Sequence, residues 1–403
     1  MKRVFIGDLV IGDEERNAIN DVLSSGRISE GVKTREFEQE WSRYIGTNHT
    51  VAVNSGTSGL VAGLYALKNH PRYKNKIGKR IITSPVTYIA TSNAIVASGF
   101  EPEYVDIDRE RFSIIPEQIE RAVKKNPEDY FAILPVHLMG YPNDMDSINE
   151  IAEKYDLAVF EDSAQAHGSL YHGKKCGSLG HLADFSFYIA HNIQAGELGA
   201  VTTNDKDIAR LVKKIKANGR MCDCPVCTRN TDRGCPRINS YTGKDDFDPR
   251  FTHDMVGFNF KTMDLQTSIA LTQLKRADWI MGKRQENVRY LNEELSTFSG
   301  ILQLPEYSEE VSYLAYPLII KRGGGVSRKE LRSKLEKRGI ENRPLFGCIP
   351  TQQPAYSWLK SKYEGRLPNA EYIGANGFYV GCHQYLKQED LEHIVTSFKE
   401  ILK

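Results

Sequence analysis

Short apolar runs alternate with amphipathic stretches through the first two thirds of the chain. Thr50–Val53 reads as a buried strand, with a helix through Leu60–Leu67 behind it. Arg80–Ser84, Pro102–Asp106, Ala132–Val136, Ala158–Glu161, Asp184–Tyr188 and Gly199–Thr202 are further strand-like runs. Most are followed by a polar turn and a helical pattern. Strand–helix alternation on this scale predicts an α/β domain with a mainly parallel sheet.

The pattern changes near residue 255. Asp264–Arg276 and Gly282–Leu295 are helical without intervening strands and read as a connector. Beyond them, strand-like Tyr313–Ile320 and Gly377–Gly381 accompany helical Ser327–Arg338 and Gln388–Glu400. The expected division is a large α/β domain over 1–255, connecting helices over 256–300 and a small α+β domain over 301–403. Residues 219–254, rich in Cys, Asp, Arg and Pro, are too long for an ordinary structureless connection and read as a functional insert.

Charge and cysteine content narrow the setting. The 403 residues carry 53 Lys+Arg against 52 Asp+Glu, a net charge of +1. Such a balance offers no electrostatic reason for a nucleic-acid or anionic-membrane partner. No run approaches the ~18 apolar residues of a membrane helix, and Asp8 comes too early for a signal peptide. Of seven cysteines, four crowd into residues 222–235, unlike a secreted disulfide framework. A reducing cytoplasmic compartment is expected.

Four segments could carry chemistry. The turn Asn54-Ser55-Gly56-Thr57-Ser58-Gly59, between a strand and a helix, offers N–H groups, hydroxyls and a helix dipole to a phosphate, although the same residues serve as ordinary helix caps. In Phe160–Gly168, Asp162 at a strand's carboxyl end could keep a pyridine nitrogen protonated, or simply cap a turn. In Asp184–Asn192, Ser186 could add a hydroxyl to the phosphate site, and His191 follows in the loop, where a lone histidine is more often structural. The spacing of Cys222, Cys224, Cys227 and Cys235 is C-x-C-x₂-C-x₇-C. Thiolates so crowded suit zinc or an iron–sulfur cluster; the plain alternative is free thiols in an exposed loop.

The order of these segments resembles the DegT/DnrJ/EryC1/StrS sugar aminotransferases. The likeness runs through Asn54–Leu60, Val86–Thr91, Pro135–Gly140, Glu161–Gly168, Phe185–Gly199, Gly257–Lys261, Gln266 and Arg343–Leu345. It implies the fold-type-I pyridoxal-phosphate architecture, with a seven-stranded, mostly parallel sheet and a small C-terminal α+β domain. It also implies a homodimer with shared active sites. By this resemblance the cofactor ring stacks on Tyr88, its nitrogen pairs with Asp162, and Gln165 lies near its 3-oxygen. Gly56, Thr57 and Ser186 hold the phosphate, together with the partner's Asn259.

One departure is informative. Where the aminotransferases carry the lysine that binds the cofactor as a Schiff base, this chain has His191. Imidazole cannot form that bond, but with an ordinary pKa of about 6.5 it can move protons. The exchange marks the family's 3-dehydratases, which use pyridoxamine 5′-phosphate to remove the 3-hydroxyl of a nucleotide-linked 4-keto-6-deoxyhexose. Lys261 and Asp264 resemble that branch as well. His191 is accordingly expected to be the catalytic base and acid.

One subgroup of these dehydratases adds a [2Fe–2S] cluster fed by a reductase. Its ligands are an early Cys within the segment matching 161–168, then C-x-C, then a Cys after seven residues. Here the early position is Ser163 or Ala164, and the seven-residue gap separates Cys227 from Cys235. The resemblance carries over Cys222, Cys224 and Cys235, with Cys227 expected to replace the missing ligand. Three alternatives remain: a cluster-free dehydratase regenerated by glutamate with zinc in the loop, an aminotransferase using Lys174, Lys175 or Lys206, and a noncatalytic scaffold or sensor. Retention of Asp162, Gln165, Ser186 and Asn259 argues against the last.

Overall fold

The computed structural model describes residues 2–224, 227–229 and 231–403. Its main sheet has seven strands: β1 (His49–Val53), β2 (Arg80–Thr83), β3 (Glu101–Tyr104), β4 (Tyr130–Leu134), β5 (Ala158–Asp162), β8 (Leu182–Ser186) and β9 (Gly199–Thr203). They lie side by side in the order β1-β9-β8-β5-β4-β2-β3. β9 runs antiparallel to both neighbours, and the remaining pairs are parallel. The mostly parallel seven-stranded α/β sheet expected from the sequence is therefore present. Between β5 and β8 lies a two-stranded hairpin, β6 (Leu170–Tyr171) and β7 (Lys174–Lys175).

The central strands are apolar without alternation because both faces are covered. β4 and β5 are buried at all their positions. The helices of this part are α1 (Asp13–Ser24), α2 (Val32–Ile45), α3 (Gly56–Asn69), α4 (Ala90–Ala97), α5 (Pro116–Lys125), α6 (Met145–Lys154) and α7 (Lys206–Ile215). On one face α2 inserts Phe37 and Trp41 among Phe185 and Phe187, with Trp41 5.0 Å from Phe185 and 4.8 Å from Phe187. On the other face α3 lies close to the sheet because three of its residues lack a side chain. A Cβ at Gly56 would stand 2.6 Å from Ser186 Cβ, at Gly59 3.3 Å from Asp184 Cβ, and at Gly63 2.4 Å from Phe160 Cζ. This glycine stripe is what sets the start of α3 over the carboxyl ends of β5 and β8.

Helices Asp264–Leu274 and Ala277–Leu295 lead to an antiparallel four-stranded sheet. Its strands are β10 (Leu302–Gln303), β11 (Tyr316–Ile320), β12 (Asn342–Pro344) and β13 (Gly377–Val380), with helices Arg328–Lys337 and Gln388–Leu402 beside them. Their order is β10-β11-β13-β12. The expected strand from Tyr313 starts three residues later, since Tyr313 has φ 44°, incompatible with a strand. Asp264 is structural. Its carboxylate accepts the N–H groups of Gly31, Lys33 and Thr34 and the Thr34 hydroxyl, fixing the start of α2.

The insert is more ordered than its composition predicts. Residues Arg220 and His253 form an antiparallel bridge, Met221 N–H donates to Thr252 O at 2.9 Å, and Cys222 N–H to Pro249 O at 3.0 Å. One helical turn, Pro236–Asn239, follows the last cysteine. The insert therefore stands on a short two-stranded stalk.

Candidate active site

A cavity of about 570 Å³ opens where α3 begins over the ends of β5 and β8. Ser55 caps α3, accepting the Ser58 N–H at 3.2 Å. The earlier N–H groups of the helix, at Gly56 and Thr57, lie in the turn where intrahelical partners are lacking. Gly56, Thr57, Tyr88, Asp162, Gln165, Ser186 and His191 all line this cavity. Seven residues singled out from scattered motifs are thus brought together. Asn259 is exposed and lies outside the lining of its own chain's cavity.

Each side chain has an identifiable support. Asp162 ends β5 and accepts the Thr91 hydroxyl at 2.7 Å and the Ala164 N–H at 3.3 Å. Burial raises its pKa, with the Thr91 bond, the Ala164 bond and His137 acting against burial. Gln165 Oε1 accepts the Met139 N–H at 2.9 Å, so its amide nitrogen is the end left for a ligand. Tyr88 is 61% exposed, with its ring centroid 6.1 Å from that of Phe346.

The His191 loop is pinned at several points. Asn192 Nδ2 donates to Ser312 O at 3.0 Å, Gln194 Nε2 to Ile189 O at 2.6 Å, and the Ile193 N–H to His167 Nδ1 at 3.3 Å. The His191 N–H closes a turn on Tyr188 O at 2.8 Å, while its Nδ1 is buried with no partner among the described residues. Behind the loop Arg284 is fully buried and bonded to Gln384 Oε1 and the carbonyls of Tyr313 and Leu314, with no carboxylate among these partners. Burial, then this guanidinium, pushes the His191 pKa down to about 4. The ring is neutral at pH 7, the state a proton acceptor needs.

Among the described residues no lysine lines the cavity. Lys174 and Lys175 form β7, Lys175 Nζ standing 4.5 Å from the Tyr44 ring centroid, and Lys206 opens α7. Sequence reasoning assigned no role to Thr91, Asp184, Glu197, Arg343, Phe346 or Tyr379, which also line the cavity. Thr91, Asp184, Glu197 and Arg343 lie within motifs already noticed, but only the folded geometry shows what they face.

Glu161, next to Asp162, points to the opposite face. Its two oxygens accept N–H groups from Gly177 at 2.8 Å, Leu179 at 2.7 Å and Gly180 at 2.7 Å, and Oε2 lies 3.0 Å from His137 Nε2. Glu161→Ala strands three N–H groups and should cost roughly 3 kcal/mol or more; urea denaturation checks this.

The four loop cysteines line a second, much smaller cavity of about 20 Å³, together with Thr228, Arg229, Pro236, Ile238, Asp248, Pro249 and Arg250. Among the described residues, no three of their sulfurs lie mutually within 4.8 Å. The thiols thus face one space without being drawn into a closed ligand set.

These features can be set beside known proteins. Residues 10–399 match the family model described as the DegT/DnrJ/EryC1/StrS aminotransferase family. The chain belongs to that family. It is 32% identical over 397 residues, 98% of this chain and 85% of the relative, to the dTDP-4-dehydro-2,6-dideoxy-D-glucose 3-dehydratase of Saccharopolyspora spinosa. Among solved structures it resembles GDP-4-keto-6-deoxymannose-3-dehydratase, as a His-to-Asn variant with bound GDP-perosamine, at 27% identity and a TM-score of 0.86 over 100% of both chains. The same dehydratase with a trapped PLP-glutamate geminal diamine gives 27%, 0.86 and full coverage of both chains. No helix among the described residues is long and apolar enough to cross a membrane.

Proposed function

We propose that this protein is a 3-dehydratase that uses pyridoxamine or pyridoxal phosphate to act on a nucleotide-linked 4-keto-6-deoxy sugar. The observation that carries this reading is a neutral histidine, with no lysine among the described residues of the cavity, in a family that ordinarily places lysine there. The dehydratases among its relatives support it. Chemically the cavity suits the cofactor. Gly56 leaves a cradle that a Cβ would fill, the first N–H groups of α3 suit a phosphate, and a buried carboxylate stands at the floor.

In this reading Gly56, Thr57, Ser186 and the partner's Asn259 hold the phosphate, Tyr88 covers the ring, and Asp162 keeps its nitrogen protonated. Gln165 faces the ring's 3-oxygen. When bound, the cofactor would supply an electron sink that takes up the electron pair left by proton removal and gives it back as the sugar's C-3–oxygen bond breaks. His191 would serve as the base that accepts a proton and the acid that returns one to the departing hydroxyl, which would leave as water. With no covalent tether, retention rests on these contacts alone, in a homodimer with shared sites.

The cysteine insert suits a thiophilic metal by its donors. In the fuller form of the proposal Cys222, Cys224, Cys227 and Cys235 hold a [2Fe–2S] cluster, which supplies single electrons from a partner reductase to complete a 3-deoxygenation. A space of about 20 Å³ is close to that of one water, and this favours a second reading in which the loop holds one zinc ion. Glutamate would then restore the amine form of the cofactor.

Borohydride reduction in the presence of pyridoxal phosphate, followed by peptide mapping, tests the central reading. Cofactor absorbance should appear without any pyridoxyl-lysine, and pyridoxamine phosphate with a keto sugar should give loss of the 3-hydroxyl by mass spectrometry. A reduced lysine adduct in the cavity would instead make the protein an aminotransferase.

A further inference from the structure

Asp184 is a buried carboxyl group that the proposed reaction leaves without a role. It sits on β8 directly opposite Asp162 on the parallel neighbour β5, so both side chains leave the same face of the sheet. Asp162 is 5% exposed and Asp184 0%. Both line the floor of the cavity. Asp162 has partners, whereas both oxygens of Asp184 are buried with none among the described residues.

The surroundings offer Asp184 no cation among the described residues. Gly59 of α3 lies above it, and the Gly59 N–H is already given to Ser55 O at 3.0 Å. The Asp162 side is faced by Thr91 from α4, while His137, which acts on Asp162 only through its charge, engages its Nε2 with Glu161 at 3.0 Å. His191, Glu197 and Arg343 line other parts of the same cavity, and no hydrogen bond joins any of them to either aspartate among the described residues. Two neighbouring buried carboxyl groups with no cationic side chain between them among the described residues resist ionising together.

We infer that Asp162 and Asp184 form one acid–carboxylate pair, sharing a single proton, beneath the position of the cofactor's ring nitrogen. Asp184 is the protonated member, because the Thr91 hydroxyl and the Ala164 N–H favour the charged form of Asp162, and no side chain among the described residues does the same for Asp184. Burial and the Asp162 charge both push Asp184 well upward. The pair presents a net charge of −1 rather than −2. Asp184 thereby acts as a positioning residue: its O–H holds the Asp162 carboxylate and moderates its basicity toward a pyridine. The functional part of this inference rests on the cofactor reading; the pair itself does not.

Infrared spectroscopy of the cofactor-free full chain separates the two. The wild type should show the carbonyl band of a protonated carboxylic acid at pH 7, and Asp184→Asn should lack it. In Asp162→Asn the band should remain at low pH but disappear at a lower pH than in wild type, because the neighbouring charge is gone. Absence of the band in wild type at pH 7, or its survival in Asp184→Asn, overturns the pair. So does an unchanged midpoint in Asp162→Asn, which needs no change at Asp184 itself. Failure of the wild type to bind pyridoxal phosphate, with the band present, would defeat the cofactor reading and leave the pair standing.

Discussion

Asparagine in place of His191 should abolish dehydration while leaving the cofactor bound. The side chains are similar in reach, so the loop pinned by Asn192, Ile193 and Gln194 should keep its form. The amide, however, cannot accept and return a proton at neutral pH. Loss of a positioned acid–base group typically costs about 10²–10⁴-fold in rate, and the loss should fall on kcat with cofactor absorbance retained. Turnover within threefold of wild type would remove His191 from the chemistry.

The pH dependence has a definite sign. Because burial and Arg284 push His191 down to about 4, the acid limb that reports this ring lies below the 6.5 of free imidazole, and Arg284→Met should move it upward. The same shift affects folding. His191 and His383, both pushed to about 4, and His167, which burial and then His191 push well below the ordinary value, bind protons more readily when unfolded. Their stability is full above pH ~6.5 and is lost as pH falls toward 4.

Much of this site was legible because strand ends and turns carry their own signals. The run before Asp162, the Ser/Gly turn before α3 and the loop after Ser186 each read locally, and the sheet gathers them. Asp184 was not legible as a site residue. In sequence it is one polar residue inside an apolar strand, and only its pairing with Asp162 reveals two carboxyls side by side. The same holds for α2, whose polar composition hides Trp41 and Phe37 among charged neighbours. Asp264 illustrates the converse: resemblance drew attention to it, and the fold gives it the start of α2. The insert was marked by composition, but its stalk depends on pairing residues 219–222 with residues 249–255, which no local pattern announces.

Cys227→Ser should strip metal from the insert as completely as Cys224→Ser. The reason is geometric. Cys227 lines the same small cavity as Cys222, Cys224 and Cys235, whereas Ser163 and Ala164, either of which matches the early cysteine of the resembling dehydratases, lie in the main domain, Ser163 fully buried and Ala164 lining the large cavity. If the fourth ligand has moved, it has moved into the loop. Arginines stand ready to offset thiolate charge. Arg237 lies beside Cys224, and Arg250 near Cys222 and Cys227, while Asp248 anchors Arg250 at 2.8 Å. Burial and the neighbouring Cys222 raise the Cys224 thiol in the metal-free loop, so loading should release protons and weaken as pH falls. Protein prepared without oxygen should contain about two irons and two labile sulfides per chain, and dithionite should bleach it. No three of the loop sulfurs lie mutually within 4.8 Å among the described residues, so loading must draw the thiols together, and protease resistance of residues 219–254 should differ between loaded and stripped protein. Stoichiometric zinc with no iron would defeat the electron relay, because zinc has no redox change to offer. The surviving enzyme would then be the glutamate-regenerated dehydratase, in which Cys227→Ser lowers the stability of the insert and leaves the first dehydration step at His191 intact.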